Sequence, residues 1–492
     1  MVSAVHLTLI LLCLLVTQTH GSRRVLLSST DASGASSSPN ACPSVCLVFN
    51  NGKKLPVMHR LSPCSPISGG GGARKHGTAA LHEILHRDGL RLRYLSNLQA
   101  ASATAAPAPA PSPSSTQTSG VLVPAAQNVV SSLPGVFTYT VVAGYGTPAQ
   151  PLPLFFDASG MSNLRCKPCS FSGASAPCDQ SFDPSMSSSL RTVPCGSPDC
   201  TETACTSGSS CTFTYTNSTF VFGNGTVVTD TLTLSPSSTF DNFAVGCMQL
   251  DNLFSDGVAV GNIDLSRSRH SLTTRVLLSS SPGTAAFTYC LPADTDTHGF
   301  LDIAPTLSDY SGLAGVKYVP LVTNPTGPNF YYVDLVAITV NGKDLPFPPA
   351  TYRGEGTMID TQAAFTYLNP PIYAALRDEF RSAMAKYQSA PAFSDLDTCY
   401  NFTGIDYITL PDISLRFGNG ETMDLDDRQF MYFFRDHLDD GFPFGCLAFA
   451  AATPDPNFGW NLLGTQLQRT KEIVYDVRGG MVAFVPSRCG LR

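Results

Sequence analysis

Along most of the chain, apolar residues fall in short bursts separated by Gly, Pro, Asn and Asp. The runs 137–142, 212–215, 229–234, 331–340 and 473–484 are rich in Val, Ile, Thr, Tyr and Phe. Such side chains suit a pleated, half-buried surface, so each run predicts strand, and the breakers between them predict turns. Helical periodicity is clearest in two places. Over 78–98, Leu81, Ile84, Leu85, Leu92 and Leu95 recur with helical spacing while basic residues fill much of the remainder. Over 371–387 the pattern opens on a Pro, which the first helical turn accepts because its N–H would be unpaired there anyway. The pattern predicts a mainly β protein.

The texture also divides the chain. An apolar run at 7–16, followed by small and polar residues, is too short to span a bilayer and predicts a secretory signal over 1–21. A buried helix is the weaker reading, because nothing amphipathic follows. Residues 22–118 hold a glycine run, Gly69 to Gly72, then the helical pattern, then a stretch at 101–119 made almost wholly of Ala, Pro, Ser and Thr. That composition cannot bury a core and predicts a protease-accessible linker, so 22–118 is expected to be a prosegment and not merely an extension. Two β-rich portions follow, taken as lobes at 119–328 and 329–492.

Charged residues are only 14% of the 492, and the net charge is −7, which gives no basic field for nucleic acid and no support for membrane binding. Sixteen cysteines are present. Cys13 lies in the signal and Cys42, Cys46 and Cys64 precede the linker. The rest are Cys166, Cys169, Cys178, Cys195, Cys200, Cys205, Cys211, Cys247, Cys290, Cys399, Cys446 and Cys489. Twelve is an even set, and with secretion it predicts up to six disulfides, whose pairing the sequence leaves open. Cys166 and Cys169 form a CxxC, which invites zinc or redox chemistry. Only His270, His298 and His437 lie beyond the linker, none at ligand spacing, so disulfides are the expected use and no metal site is. The triplets at Asn217, Asn224 and Asn401 are candidate glycosylation sites.

Each β-rich portion contains an Asp after an apolar approach: Leu154-Phe155-Phe156-Asp157 and Thr357-Met358-Ile359-Asp360. One Asp at a strand end in each of two similar lobes can bring two carboxylates face to face. From about 137 to 489 the chain resembles the plant pepsin-like aspartic peptidases of the nepenthesin type. The likeness is carried by Gly146-Thr147-Pro148, Cys166-Lys167-Pro168-Cys169, Phe182-Asp183-Pro184, Asp397-Thr398-Cys399-Tyr400 and Leu462-Leu463-Gly464, with the twelve cysteines. His59-Arg60-Leu61-Ser62-Pro63-Cys64-Ser65-Pro66 is similar to a signature of that family's prosegment. The resemblance implies a bilobal pepsin-like fold, a monomer, an interlobe cleft for an extended peptide, and a water held between Asp157 and Asp360 sharing one proton. No cofactor is implied. Two carboxylates so close cannot both ionise cheaply, so one acts as base and the other as acid.

The loops around both Asp residues depart from the family's Asp-Thr/Ser-Gly pattern. Ala158 replaces a hydroxyl, Ser159 stands at the Gly position, Gln362 places a long side chain where the other loop's Gly belongs, and Ala363 removes a second hydroxyl. The resemblance also implies a hairpin flap over the cleft, and Asn217 stands where the family's flap has Tyr. The segment expected beneath the first loop reads Asn262-Ile263-Asp264 against Leu462-Leu463-Gly464 in the second, so Asp264 would set a third carboxylate near the dyad. Lost or much reduced peptidase activity is therefore expected, with a peptide or protein held in the cleft. The alternative is an endopeptidase using Asp157 and Asp360 at acid pH. The expected location is extracellular, in the cell wall, or else the vacuole.

Overall fold

The computed structural model describes residues 23–26, 54–59, 62, 65 and 78–104. It also describes 139–489 except 159–160, 171–177, 179–180, 201–209, 217–220, 252–258, 293–297, 435–443, 453–458 and 488. The expected signal, most of the linker, Ser159, Cys205 and Asn217 lie outside the described residues. The periodic segment is a helix over Thr78–Thr104, running past the expected 98 into the Ala-rich start of the linker, where Ala favours helix. The second helix spans Pro370–Ala383 and buries Ile372, Tyr373, Leu376 and Phe380, one face at helical spacing.

The expected strands form, with two of the runs divided. The run 331–340 forms Tyr332–Val333 and Leu335–Val340, and 473–484 is a hairpin of Lys471–Asp476 with Met481–Pro486. The longest hairpin is Val221–Ser235 with Ser238–Asp251. The N-terminal strand Lys54–His59 pairs antiparallel on one side with His298–Ile303 and on the other with the start of Tyr139–Tyr145. Its Leu55, Val57 and Met58 are buried there.

Both lobes repeat one motif. Gln150–Asp157 lies parallel to Gly261–Asp264, with Phe155 opposite Asn262, Phe156 opposite Ile263 and Asp157 opposite Asp264. Asn163–Ser170 returns antiparallel to Gly261–Asp264. In the second lobe Gly356–Ile359 lies parallel to Trp460–Leu463, with Met358 opposite Leu462 and Ile359 opposite Leu463, and Thr366–Leu368 returns antiparallel. The register equates Asn262-Ile263-Asp264 with Leu462-Leu463-Gly464 and sets Asp157 and Asp360 at equivalent strand ends.

Five disulfides join Cys166 to Cys247, Cys169 to Cys178, Cys200 to Cys211, Cys290 to Cys489 and Cys399 to Cys446. Cys195 is disulfide-bonded as well. The CxxC cysteines thus go to different bridges, which overturns a redox or zinc use for that pair.

Candidate functional site

Asp157 and Asp360 are buried, 1% and 2% exposed, and protein groups reach all four of their carboxylate oxygens. For Asp157, Oδ1 accepts the side-chain amide of Asn262 at 3.0 Å and Oδ2 accepts that of Gln362 at 2.7 Å. For Asp360, Oδ1 accepts the backbone N–H groups of Gln362 at 2.8 Å and Ala363 at 2.6 Å. Its Oδ2 accepts Nε and Nη2 of Arg91 at 2.9 and 2.7 Å. Every one of these donors is an N–H. None of these groups accepts a proton in return.

Gln362 is the departure with the clearest consequence. Its backbone serves Asp360 in its own lobe while its side chain crosses to Asp157 in the other. It is 1% exposed, and its Oε1 is buried without a hydrogen-bond partner. Leaving such an acceptor unmade costs about 1–3 kcal/mol. Ala158, half-buried, packs against both main hydrophobic clusters, apolar filling where a hydroxyl was expected. Ala363 is fully buried among the second lobe's apolar residues.

Asp264 is the third carboxylate expected near the dyad. It is buried, but its Oδ1 accepts the Ser266 N–H at 2.9 Å, and its Oδ2 accepts the hydroxyls of Ser266 at 2.9 Å and Ser268 at 3.0 Å. Ser266 and Ser268 thus donate to it from the loop that follows its strand. Asn262, the counterpart of the apolar Leu462 in the other lobe, touches the dyad as Gln362 does.

The helix Thr78–Thr104 adds two residues that sequence reasoning missed. Leu81, Leu85, Leu92 and Leu95 pack with Phe330, Tyr332, Met358, Phe365, Tyr367 and Trp460 of the second lobe. Arg91 comes from this helix, and its ion pair with Asp360 is buried at both ends, 2% and 1% exposed. Its guanidinium also lies 5.2 Å from the centre of the Phe330 ring. Asp88, one turn earlier, is 1% exposed and accepts the N–H of Ala364 at 2.9 Å, the N–H of Phe365 at 3.0 Å and the Tyr367 hydroxyl at 3.0 Å. The signal was present: positions 81, 88 and 95 are spaced by seven, so Asp88 interrupts an apolar stripe at its middle.

Burial pushes the Asp88 carboxyl up to about 7, with Asp360 adding to the rise and the three hydrogen bonds opposing it. Docking therefore favours the protonated form more than an undocked helix would. The Asp88 contribution is fully present below about 4 and lost as pH rises through about 7. Thermal unfolding of the native chain and of Asp88→Asn, each at pH 4.5 and 7.5, should show the gap between them moving in favour of the native chain at the lower pH. A gap unchanged by pH would remove Asp88 from the pH response.

Among the candidate glycosylation sites, Asn401 is half-buried at the end of a strand, its Oδ1 accepting the Thr403 N–H at 2.9 Å. Asn224 is half-buried within the long hairpin.

Residues 139–303 match the family model described as Xylanase inhibitor N-terminal, and residues 330–486 that described as Xylanase inhibitor C-terminal. The chain is similar to Aspartyl protease AED1 of Arabidopsis thaliana, 30% identical over 455 residues, covering 92% of this chain and 90% of the relative. It is also similar to Aspartic proteinase nepenthesin-2 of Nepenthes gracilis, 26% identical over 367 residues, covering 72% and 78%. Among solved structures it resembles basic 7S globulin from soybean, with a TM-score of 0.54 at 19% identity over 72% of this chain and 93% of that one. That likeness shows the bilobal, mainly β fold.

Proposed function

We propose that this chain, which belongs to the plant family of pepsin-like aspartic peptidases, has lost most or all of the family's peptide hydrolysis and uses its cleft to hold a peptide or protein. The observation that carries this reading is the side chain of Gln362, which spans from the second loop to Asp157. The dyad chemistry needs one carboxyl to keep a proton, its partner to be free to take one, and a water between them. Amide nitrogens from Gln362 and Asn262 hold both oxygens of Asp157, where the water and the shared proton would have to reach it, and an amide can neither take that proton nor return it. Arg91 would leave Asp360 if the N-terminal segment were removed. Gln362 and Asn262 belong to the lobes and would stay.

The matched family models, named for xylanase inhibitors, support a binding use of this fold. The disulfides among the described residues support folding in an oxidising compartment, in keeping with the expected secretory signal. Among the described residues no helix is long and apolar enough to cross a membrane.

A latent peptidase is the second reading, favoured by the Arg91 guanidinium on Asp360, a contact that would suppress a competent site until the helix leaves. One assay separates them. Chain nicked within 105–119 is incubated with unfolded protein at pH 3–5, beside an active nepenthesin. Turnover should be at least about a thousandfold below that enzyme's, since several groups acting as one unit are missing and one alone is worth roughly a hundred- to thousandfold. Pepstatin-sensitive cleavage that disappears in Asp157→Asn would establish the latent peptidase instead.

A further inference from the structure

The contacts of the N-terminal helix describe what the cleft recognises. The second lobe presents an apolar floor of Phe330, Tyr332, Met358 and Phe365 to the leucines of Thr78–Thr104. Two polar features interrupt that floor. One is a cradle of three donors, the N–H groups of Ala364 and Phe365 and the hydroxyl of Tyr367, all converging on the Asp88 carboxylate. The other is the buried carboxylate of Asp360, answered by Arg91.

We infer that this face is a helix-reading groove, whose ligand is an amphipathic helical segment of a protein carrying a carboxyl group three residues before an arginine within a leucine stripe. The chain's own helix is the resident example. The inference rests on the cleft being a binding site and names the ligand class of that site.

The spacing excludes an extended ligand for these two points. Residues three apart share a face on a helix but lie on opposite faces of a strand. The register is fixed as well. Asp88 sits in the middle of the stripe that runs from Leu81 to Leu95, so a slip by one turn would set a leucine over the cradle and strand three donors. The Asp360 point reads a guanidinium and not merely a positive charge. Nε and Nη2 both reach Oδ2, and the guanidinium lies near the face of Phe330, an arrangement that lysine's single ammonium cannot copy.

The test uses the full chain carrying Asp88→Asn and Arg91→Ala, so that its own helix is weakened, and a fluorescent peptide of residues 78–104 supplied in trans. A second receptor, the native chain nicked within 105–119, covers the case in which the double variant does not fold. Binding is read by anisotropy at pH 5. The native peptide should bind saturably. Asp88→Asn and Arg91→Lys peptides should each bind at least tenfold more weakly, and Arg91→Ala at least a hundredfold. A peptide with the arginine moved one position later should lose at least tenfold. Affinities within twofold of one another, or no saturable binding of the native peptide to either receptor, would overturn the groove. Mass spectrometry of the recovered peptide keeps the two proposals apart. Cleaved peptide would sink the loss of catalysis and leave the discrimination intact, whereas intact peptide without discrimination sinks the groove alone.

Discussion

Replacing Arg91 by Ala in the full chain is expected to lower the hydrogen-exchange protection of the helix Thr78–Thr104 by two to three orders of magnitude or more. The ion pair with Asp360 is buried at both ends, so the substitution leaves a carboxylate inside an apolar floor without its cation. Breaking a buried pair from one side costs about 3–5 kcal/mol, and each 1.4 kcal/mol is tenfold. The two N–H groups of Gln362 and Ala363 still serve Oδ1, but Oδ2 loses Nε and Nη2 of Arg91. A second variant separates the charge from the packing. Arg91→Met combined with Asp360→Leu removes both charges and keeps apolar volume, so it should recover most of the lost protection. Equal protection in native chain and Arg91→Ala would mean that the leucine stripe alone holds the helix.

The next largest effect is expected at Gly464, where Gly464→Ala should destabilise the chain by about 3 kcal/mol or more, beyond the usual range for one added methyl. A Cβ there would lie 2.0 Å from the carbonyl oxygen of Phe365 and 3.0 Å from that of Ala363, both backbone atoms with little room to yield. The φ of Gly464 is −72°, an ordinary value, so the penalty is one of space and not of backbone strain. Its counterpart in the first lobe is Asp264, which bears a whole carboxylate and is fully buried. Asp264→Ala should cost less, about 1–3 kcal/mol, because it strands the Ser266 and Ser268 donors without creating a clash. Urea midpoints of the two variants give the comparison. A Gly464→Ala chain as stable as the native one would show that the second loop can lift off its strand.

Much of this was legible in the residues. Short apolar bursts between breakers gave the strands, because a half-buried sheet needs little more than alternation and branched side chains. The two Asp residues announced themselves by their apolar approaches, and the register sets each at the end of its strand. The helix was visible in its leucines, but its end was not, since Ala-rich sequence is a good helix former and a good linker alike. Disulfide partners stayed hidden because pairing is decided by the fold, as Cys290 and Cys489, 199 residues apart, illustrate. The reading of Gln362 as an obstruction missed that its amide would reach a carboxylate 205 residues away. Asp264 was legible only as a carboxylate near the dyad, because the donation it receives from Ser266 and Ser268 depends on how the following loop folds. Asp88 and Arg91 escaped notice because one polar residue in a leucine stripe gains meaning only from what the stripe lies against.

The place of Lys54–His59 bears on how the protein is made and handled. That strand is hydrogen-bonded on both flanks, to His298–Ile303 and to Tyr139–Tyr145. A version produced without its first 118 residues would therefore expose two raw β edges with an apolar slot between them, and such edges recruit strands from neighbouring molecules. Unless another stretch of polypeptide fills the slot, the truncated product should clump where the full chain stays dispersed.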